Sequence, residues 1–337
     1  MKIRLILALV CFVVLGSVPS PGAPATWSIT DRIHLGGDGG WDYLTIEPAT
    51  SRLFVSHAKQ VVVVDVKTKS ILGSIPANGV HGIALAPDLK RGFISNGTGN
   101  NVTVFDLATL KVLATVPAVK NPDAICYEPS THRVFAFNGG SGTATVIDGA
   151  EAKVVGEVQL GGKPEFAATD EGGSVFNALE DKNQILKINA ATLAIEARWD
   201  LPDKSGPSGV AMDAANQRLF VGCRNRTLLV LDTTSGKIVT TLPIGDGVDA
   251  CVYDGGSKRA FASCGDGTMT VVQQGDKDTY TVAEKVTTEP KARTMAFDPT
   301  TNTAYLPDAK FGPPPAQGRP SPLPDSFEIL VVSGGGQ

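Results

Sequence analysis

The chain is poor in the residues around which most enzymes and metalloproteins are built. Four histidines and five cysteines are scattered over 337 residues, with no Cys-x-x-Cys pair and no Cys-x-x-Cys-His haem signature. The usual sequence signs of a redox dithiol, a cytochrome or a structural zinc site are therefore missing. A Gly-x-Ser-x-Gly elbow is absent too, and His34, His57 and His132 have no evident partner, which argues against a serine-triad hydrolase. Charged residues make up only 19%, with 30 basic against 34 acidic and no Lys/Arg-rich run, so no nucleic-acid partner is expected.

Long apolar runs are also lacking, with one exception. Lys2 and Arg4 precede the run Leu5 to Leu15, and a Pro/Gly/Ser stretch then ends in Ala23-Pro-Ala25. A basic start, a short apolar run and an A-x-A end form the pattern of a secretory signal peptide, and the run is shorter than the ~18 residues a membrane span needs. Residues 1–25 are expected to be removed before Thr26, leaving 26–337 as an exported domain, periplasmic or extracellular, with no membrane span. Cys11 follows Val10 rather than a small residue, which argues against a lipid anchor. The leader carries two basic and no acidic residues, so the mature chain holds 28 against 34. Four cysteines remain, of which Cys251 and Cys264 flank one hairpin and are the better placed for a disulfide.

From Asp42 onward one pattern recurs seven times. An apolar stretch, a turn, a stretch ending in Phe or Tyr plus small residues, and a β-branched run closed by Asp begin again at Asp42, His81, Asp123, Glu165, Ser208, Asp249 and Arg293. A period near forty residues with four strand-like runs per unit specifies an all-β, seven-bladed propeller of four-stranded antiparallel blades. The last unit supplies only three runs, Thr294 to Phe297, Thr303 to Leu306 and Phe327 to Val332. Trp27 to Leu35 is expected to add the fourth and join the ends of the chain. The composition, 42% hydrophobic with 37 glycines, suits one large β domain.

Several recurring residues read as scaffold. Asp65, Asp106, Asp148 and Asp232, with Asn189 in the fourth unit, end the third run and are placed to accept backbone amides in the following turn. Glu47-Pro48, Ala86-Pro87-Asp88, Glu128-Pro129 and Asp298-Pro299 mark the turn between the first and second runs.

The segment His81 to Pro117 carries Gly82-Ile-Ala-Leu-Ala-Pro87, Arg91-Gly-Phe-Ile-Ser-Asn96, Asn101-Val-Thr-Val-Phe-Asp106 and Leu113-Ala-Thr-Val-Pro117. In these runs the chain resembles the YVTN-repeat β-propeller family of YncE-like exported proteins. The sixth unit departs from the pattern, with Val272-Gln-Gln-Gly275 in place of the Asp-Thr turn. The resemblance implies fold and export, and leaves activity open because propellers host unrelated functions.

A site is sought where the repeats differ. In a propeller the first strand of each blade lines the central channel, and its starting residue sits at the mouth. Asp42, His81, Asp123, Glu165, Asp249 and Arg293, with Ser208, are therefore the candidate ligand-binding residues, while no catalytic residue is assigned. A Pro-rich insertion at 309–325 falls on the same side, as a lid or binding loop. The expectation is a non-catalytic monomeric propeller binding a small ligand or a protein partner at this face, with no cofactor required and a divalent cation possible. One alternative is a divalent-metal-dependent enzyme like the propeller lactonases or lyases. A further alternative is a docking subunit of an exported redox or surface assembly.

Overall fold

The computed structural model describes residues 26–313 and 320–334, so the expected leader and part of the Pro-rich insertion lie outside the described residues. Seven sheets of four strands make up the molecule. Six run in chain order from the centre outward, over 41–76, 80–117, 122–159, 164–200, 207–243 and 248–287. The first of them is built from Trp41–Glu47, Arg52–His57, Gln60–Asp65 and Ser70–Pro76. All neighbouring strands within a blade are antiparallel.

The seventh blade closes the ring. Ala296–Asp298, Thr303–Asp308 and Glu328–Gly334 supply three strands, and Trp27–His34 adds the outermost one, paired from Trp27 opposite Gly334 to His34 opposite Glu328 with a one-residue shift between Ile29 and Asp31. The expected closure by the N-terminal strand is thus present. The inner strand of this blade is only three residues long, so Arg293 lies in irregular chain ahead of it.

Burial explains the sequence pattern. Second and third strands lie between neighbouring sheets and are covered on both faces, so they read as continuous apolar runs such as Val61 to Val64, all buried. The third residue of the second strand is Phe54, Phe93, Phe135, Phe176, Phe220, Phe261 or Tyr305, one per blade and each buried. Outer strands are mostly uncovered instead and leave Ile71, Leu72, Val112 and Leu113 exposed. Arginines that open second strands tie one blade to the next. Arg91 donates to the Gly149 carbonyl at 2.9 Å, Arg133 to that of Ala190 at 2.6 Å, and Arg218 pairs with Asp278 at 2.6 Å.

The hairpin role read for the strand-closing acids holds. Asp65 Oδ1 accepts the Lys67 and Thr68 amides at 2.8 and 2.9 Å, and Asp106, Asp148, Asn189 and Asp232 accept the matching pairs in their own turns. In the sixth blade, where the Asp is missing, Gln273 and Gln274 extend the third strand and Gly275 closes a different turn on Thr279. Cys126, Cys223, Cys251 and Cys264 are free thiols. Burial pushes those of Cys126, Cys223 and Cys264 up to about 12, so they are chemically quiet.

Candidate functional site

The inner strand of each of the first six blades is interrupted near its start. Pairing with the second strand slips between Trp41 and Leu44, Val80 and Ile83, Pro122 and Ile125, Pro164 and Ala167, Pro207 and Val210, and Val248 and Ala250. Those bulges contain Asp42, His81, Asp123, Glu165, Ser208 and Asp249. A bulge frees a residue from the pleat and re-aims its side chain, so every candidate except Arg293 sits at such a point.

A polar residue on the second strand secures several of these bulges. Ser56 Oγ accepts the Asp42 amide at 2.9 Å, and Ser95 Oγ accepts the Gly82 amide at 2.8 Å while donating to the Asp123 carbonyl. Asn177 Nδ2 donates to the Glu165 carbonyl at 2.9 Å, and Ser263 Oγ donates to the Arg293 carbonyl. Sequence reasoning passed over these serines. The signal available was Phe-x-Ser, repeated at Phe54, Phe93 and Phe261.

The mouth residues gather into three groups. In the first, His81 Nδ1 lies 2.7 Å from Asp42 Oδ2 and 3.7 Å from Asp123 Oδ1. Burial works against a charge on His81, but the hydrogen bond to Asp42 and the field of Asp123 outweigh it and raise its pKa. Burial, with the Asp42 carboxylate beside it, lifts Asp123 to about 6.

The second group contains residues the sequence did not single out. Lys163 Nζ lies 2.7 Å from Glu165 Oε1 and 2.5 Å from Glu180, whose other oxygen meets Arg224 Nε at 2.8 Å. Burial pushes Glu165 up to about 7, Lys163 opposing the rise and Glu180 adding to it. Burial works against the charge on Glu180, but Lys163, Glu165 and Arg224 outweigh it and lower its pKa. The third group is Arg293 Nε on Asp249 Oδ2 at 2.8 Å, with Ser208 Oγ donating to Asp249 Oδ1 at 3.1 Å. Burial raises Asp249 as well, against the pull of Arg293.

Beneath the mouth the channel is plugged. Tyr43 of the first blade and Phe166 of the fourth stack with ring centroids 4.5 Å apart. These blades are not neighbours, so the contact crosses the centre of the ring. Burial raises the Tyr43 phenol well above its ordinary pKa, and Asp123, Asp42, Glu165 and Asp249 all add to the shift. Four carboxyl groups from four blades therefore converge on one aromatic floor.

Beside this floor lies a cavity of about 420 Å³. Asp42 and Arg293 form part of its wall, joined by Trp41, Lys291, Phe311 and Pro322. The described parts of the Pro-rich insertion fold back as a hairpin, with Phe311 bridged to Pro322 and the Leu323 amide donating to the Lys310 carbonyl at 2.7 Å. Phe311 packs 5.8 Å from Trp41 between centroids, which brings the insertion to the mouth.

The raised carboxyl groups set a pH dependence. A carboxyl whose folded pKa exceeds its unfolded value holds a proton that the unfolded chain has already lost, so stability falls as pH rises through that window. For Glu165 the window runs from the ordinary carboxyl range up to about 7; for Asp308, lifted by burial, it ends at about 6. Thermal melts should give a lower Tm at pH 8 than at pH 5.5, and Glu165→Gln should recover about 1–3 kcal/mol at pH 8 and little at pH 5. A variant destabilised equally at both pH values would mean that Glu165 contributes as a carboxylate instead.

No family model and no curated protein matches the sequence. The fold does match solved structures. The chain resembles one from "Kuenenia stuttgartiensis Hydrazine Synthase" at 16% identity, with a TM-score of 0.70 over 86% of this chain and 96% of that one. It also resembles a chain of "Crystal Structure of Mitotic Checkpoint Complex", at 12% identity and a TM-score of 0.76 over 98% of both. Similarity to "Crystal structure of RRP9 WD40 repeats" gives 11% identity and a TM-score of 0.75 over 92% of this chain and 99% of that one. At these identities the likeness concerns the seven-bladed propeller alone.

Proposed function

We propose that this chain is an exported, non-catalytic propeller of the YVTN-repeat, YncE-like kind that binds a small polar ligand at the channel mouth beside the Pro-rich insertion. One observation carries the reading. Bulges in five of the seven blades aim Asp42, His81, Asp123, Glu165 and Asp249 over a closed aromatic floor, next to a cavity of about 420 Å³. That volume is within the range of small-molecule sites, and propellers commonly serve as binding scaffolds. Against catalysis, Ser208 faces Asp249 rather than a histidine, and His81 is held by two carboxylates. Export is supported by the leader pattern, since cleavage before Thr26 would spare the closing strand that begins at Trp27. Among the described residues no helix is long and apolar enough to cross a membrane.

The test is a thermal-shift screen of chemically diverse small molecules against the chain and an Asp123→Asn/Arg293→Gln variant. A ligand at 100 times its Kd adds about 2.7 kcal/mol, which is several degrees in a domain of this size. At least one class should stabilise the chain and lose that effect in the variant. Shifts that survive in the variant, or none at all, would sink the reading.

A second reading is favoured by one further geometry. Asp42, His81 and Asp123 each offer a ligand atom, all within 4.8 Å of one another, as a divalent cation would require. In chelator-treated protein, Mn²⁺, Zn²⁺, Ca²⁺ or Mg²⁺ should then raise the Tm, and Asp123→Asn should abolish the shift. Equal responses from chain and variant, or no response, would leave the polar-ligand reading alone.

A further inference from the structure

The mouth is acidic over most of its circumference, but the wall shared with the last blade is not. Lys291 reaches the cavity with its Nζ 3.3 Å from the centre of the Phe311 ring, and it makes no ion pair among the described residues. Its backbone has a positive φ of 76°, a conformation uncommon for a lysine, and its amide donates to the Gly265 carbonyl at 2.9 Å. The side chain is therefore projected from a fixed and unusual point. Arg293, two residues on, spends Nε on Asp249 and leaves its two terminal nitrogens without a partner among the described residues. A cation over an aromatic face is stabilised by the ring, yet it keeps donors for an anion.

The rest of the wall, Asp42 and Thr294 apart, is apolar, and Phe311 belongs both to it and to the Lys291 contact. Trp41 and Phe311 stand 5.8 Å apart between centroids, and Pro320 and Pro322 complete the surface. Trp41 is itself held by Phe327 at 5.1 Å, so this wall is braced from behind. A polar ligand without an apolar body would leave these rings uncovered, and an apolar ligand without a negative group would leave Lys291 and Arg293 unmatched.

We propose that this cavity is the ligand subsite and that it takes a small organic anion, a carboxylate carried on a planar or apolar body. The carboxylate lies between Lys291 Nζ and the terminal nitrogens of Arg293, and the body lies against Trp41, Phe311 and Pro322. Charge-assisted bonds to two cations fix orientation, and burial of the ring supplies the area. The inference rests on the proposed binding of a small ligand at the mouth and adds the chemical class of that ligand.

The test is calorimetric titration with three probes of one shape, 3-phenylpropionate, its neutral twin 3-phenylpropanol and the cationic 3-phenylpropylamine, and a fourth, propionate, that lacks the ring. The expected order places 3-phenylpropionate tighter than each of the others by about tenfold or more. Lys291→Gln should remove that advantage, whereas Lys153→Gln, an exposed lysine on the outer strand of the third blade, should keep it. If the alcohol or the amine binds as well as the acid and Asp123→Asn abolishes it, binding at the mouth stands and the anion class is wrong. If none of the four binds while the screen finds another mouth ligand, the class is again wrong; if the screen is also empty, both readings fall.

Discussion

Deleting residues 26–35 should leave a chain that does not reach the cooperative folded state. Trp27–His34 is the outermost strand of the seventh blade, paired with Glu328–Gly334, and supplies the one strand ladder among the described residues that joins the start of the chain to its end; otherwise the first blade only packs against the seventh, as Trp41 does on Phe327. Trp27 is 5% exposed, meets Phe261 of the sixth blade edge-on at 5.0 Å, and shares a buried cluster with Phe297, Leu306, Leu330 and Val332. Its amide donates to both oxygens of Glu284 at 3.1 Å, also in the sixth blade. Ile33 is buried near the other end of the strand, and Arg32 pairs with Glu289 and Glu328. Trp27→Ala alone should cost about 3–5 kcal/mol, as large buried aromatics do. Loss of the whole strand adds Ile33, the ladder hydrogen bonds and an uncovered edge, a sum comparable with the ~5–15 kcal/mol that holds a domain folded. Urea unfolding of the single variant and circular dichroism of the deletion would check this. A deletion variant that unfolds cooperatively near the parent midpoint would show that the ring closes without its clasp.

Most of this architecture was legible because each part of it is written locally. A buried ring at the third position of every second strand, a hairpin Asp at the end of four third strands with Asn189 at the end of a fifth, and a β-branched run between them repeat with a fixed period. One blade cannot cover its own faces, so the count of repeats gives the count of blades. The clasp was legible for a related reason, since the last unit was one strand short and only one segment remained to fill it.

The mouth was legible as a set of positions and not as a set of contacts. Placing Asp42, His81, Asp123, Glu165, Asp249 and Arg293 on one circle needs only the repeat. Knowing that Glu165 is held by Lys163 and Glu180, and Glu180 by Arg224, needs the distance between neighbouring blades, which no local pattern records. Lys291, Trp41 and Phe311 come from three segments that meet only after the ring closes, and none of them stands at a repeat position that looks polar or exceptional. The inner strand of the last blade was expected from Thr294 to Phe297 and instead spans Ala296–Asp298, for want of partners at its start. Arg293 gives its carbonyl to the Ala250 amide and Ser263 Oγ of the preceding blade instead of to its own sheet.

The plug follows from the residue after each mouth position, which is Tyr43, Gly82, Ala124, Phe166, Gly209, Ala250 or Thr294. Two large rings meet in the centre, and the other five side chains are small. Gly209 makes the constraint most severe. A Cβ there would fall 2.7 Å from both the Asp249 carbonyl oxygen and the Cys251 amide nitrogen, and 2.8 Å from the Ala250 carbonyl carbon. All three are backbone atoms of the next inner strand, locked in its sheet, so none can move aside as a side-chain tip would. Gly209→Ala should therefore destabilise by about 1–3 kcal/mol and Gly209→Val by more. Because the strand being pushed carries Asp249, the same substitution should also disturb its pairing with Arg293 and weaken the ligand binding proposed at the mouth. Gly40 supplies the control: it lines the cavity beside the mouth, yet a Cβ added there meets nothing within 4 Å. Gly40→Ala should leave the urea midpoint within about 0.5 kcal/mol of the parent. Equal stability of the two alanine variants would mean that adjacent inner strands have room to part, and the mouth would then be a more compliant surface than its geometry implies.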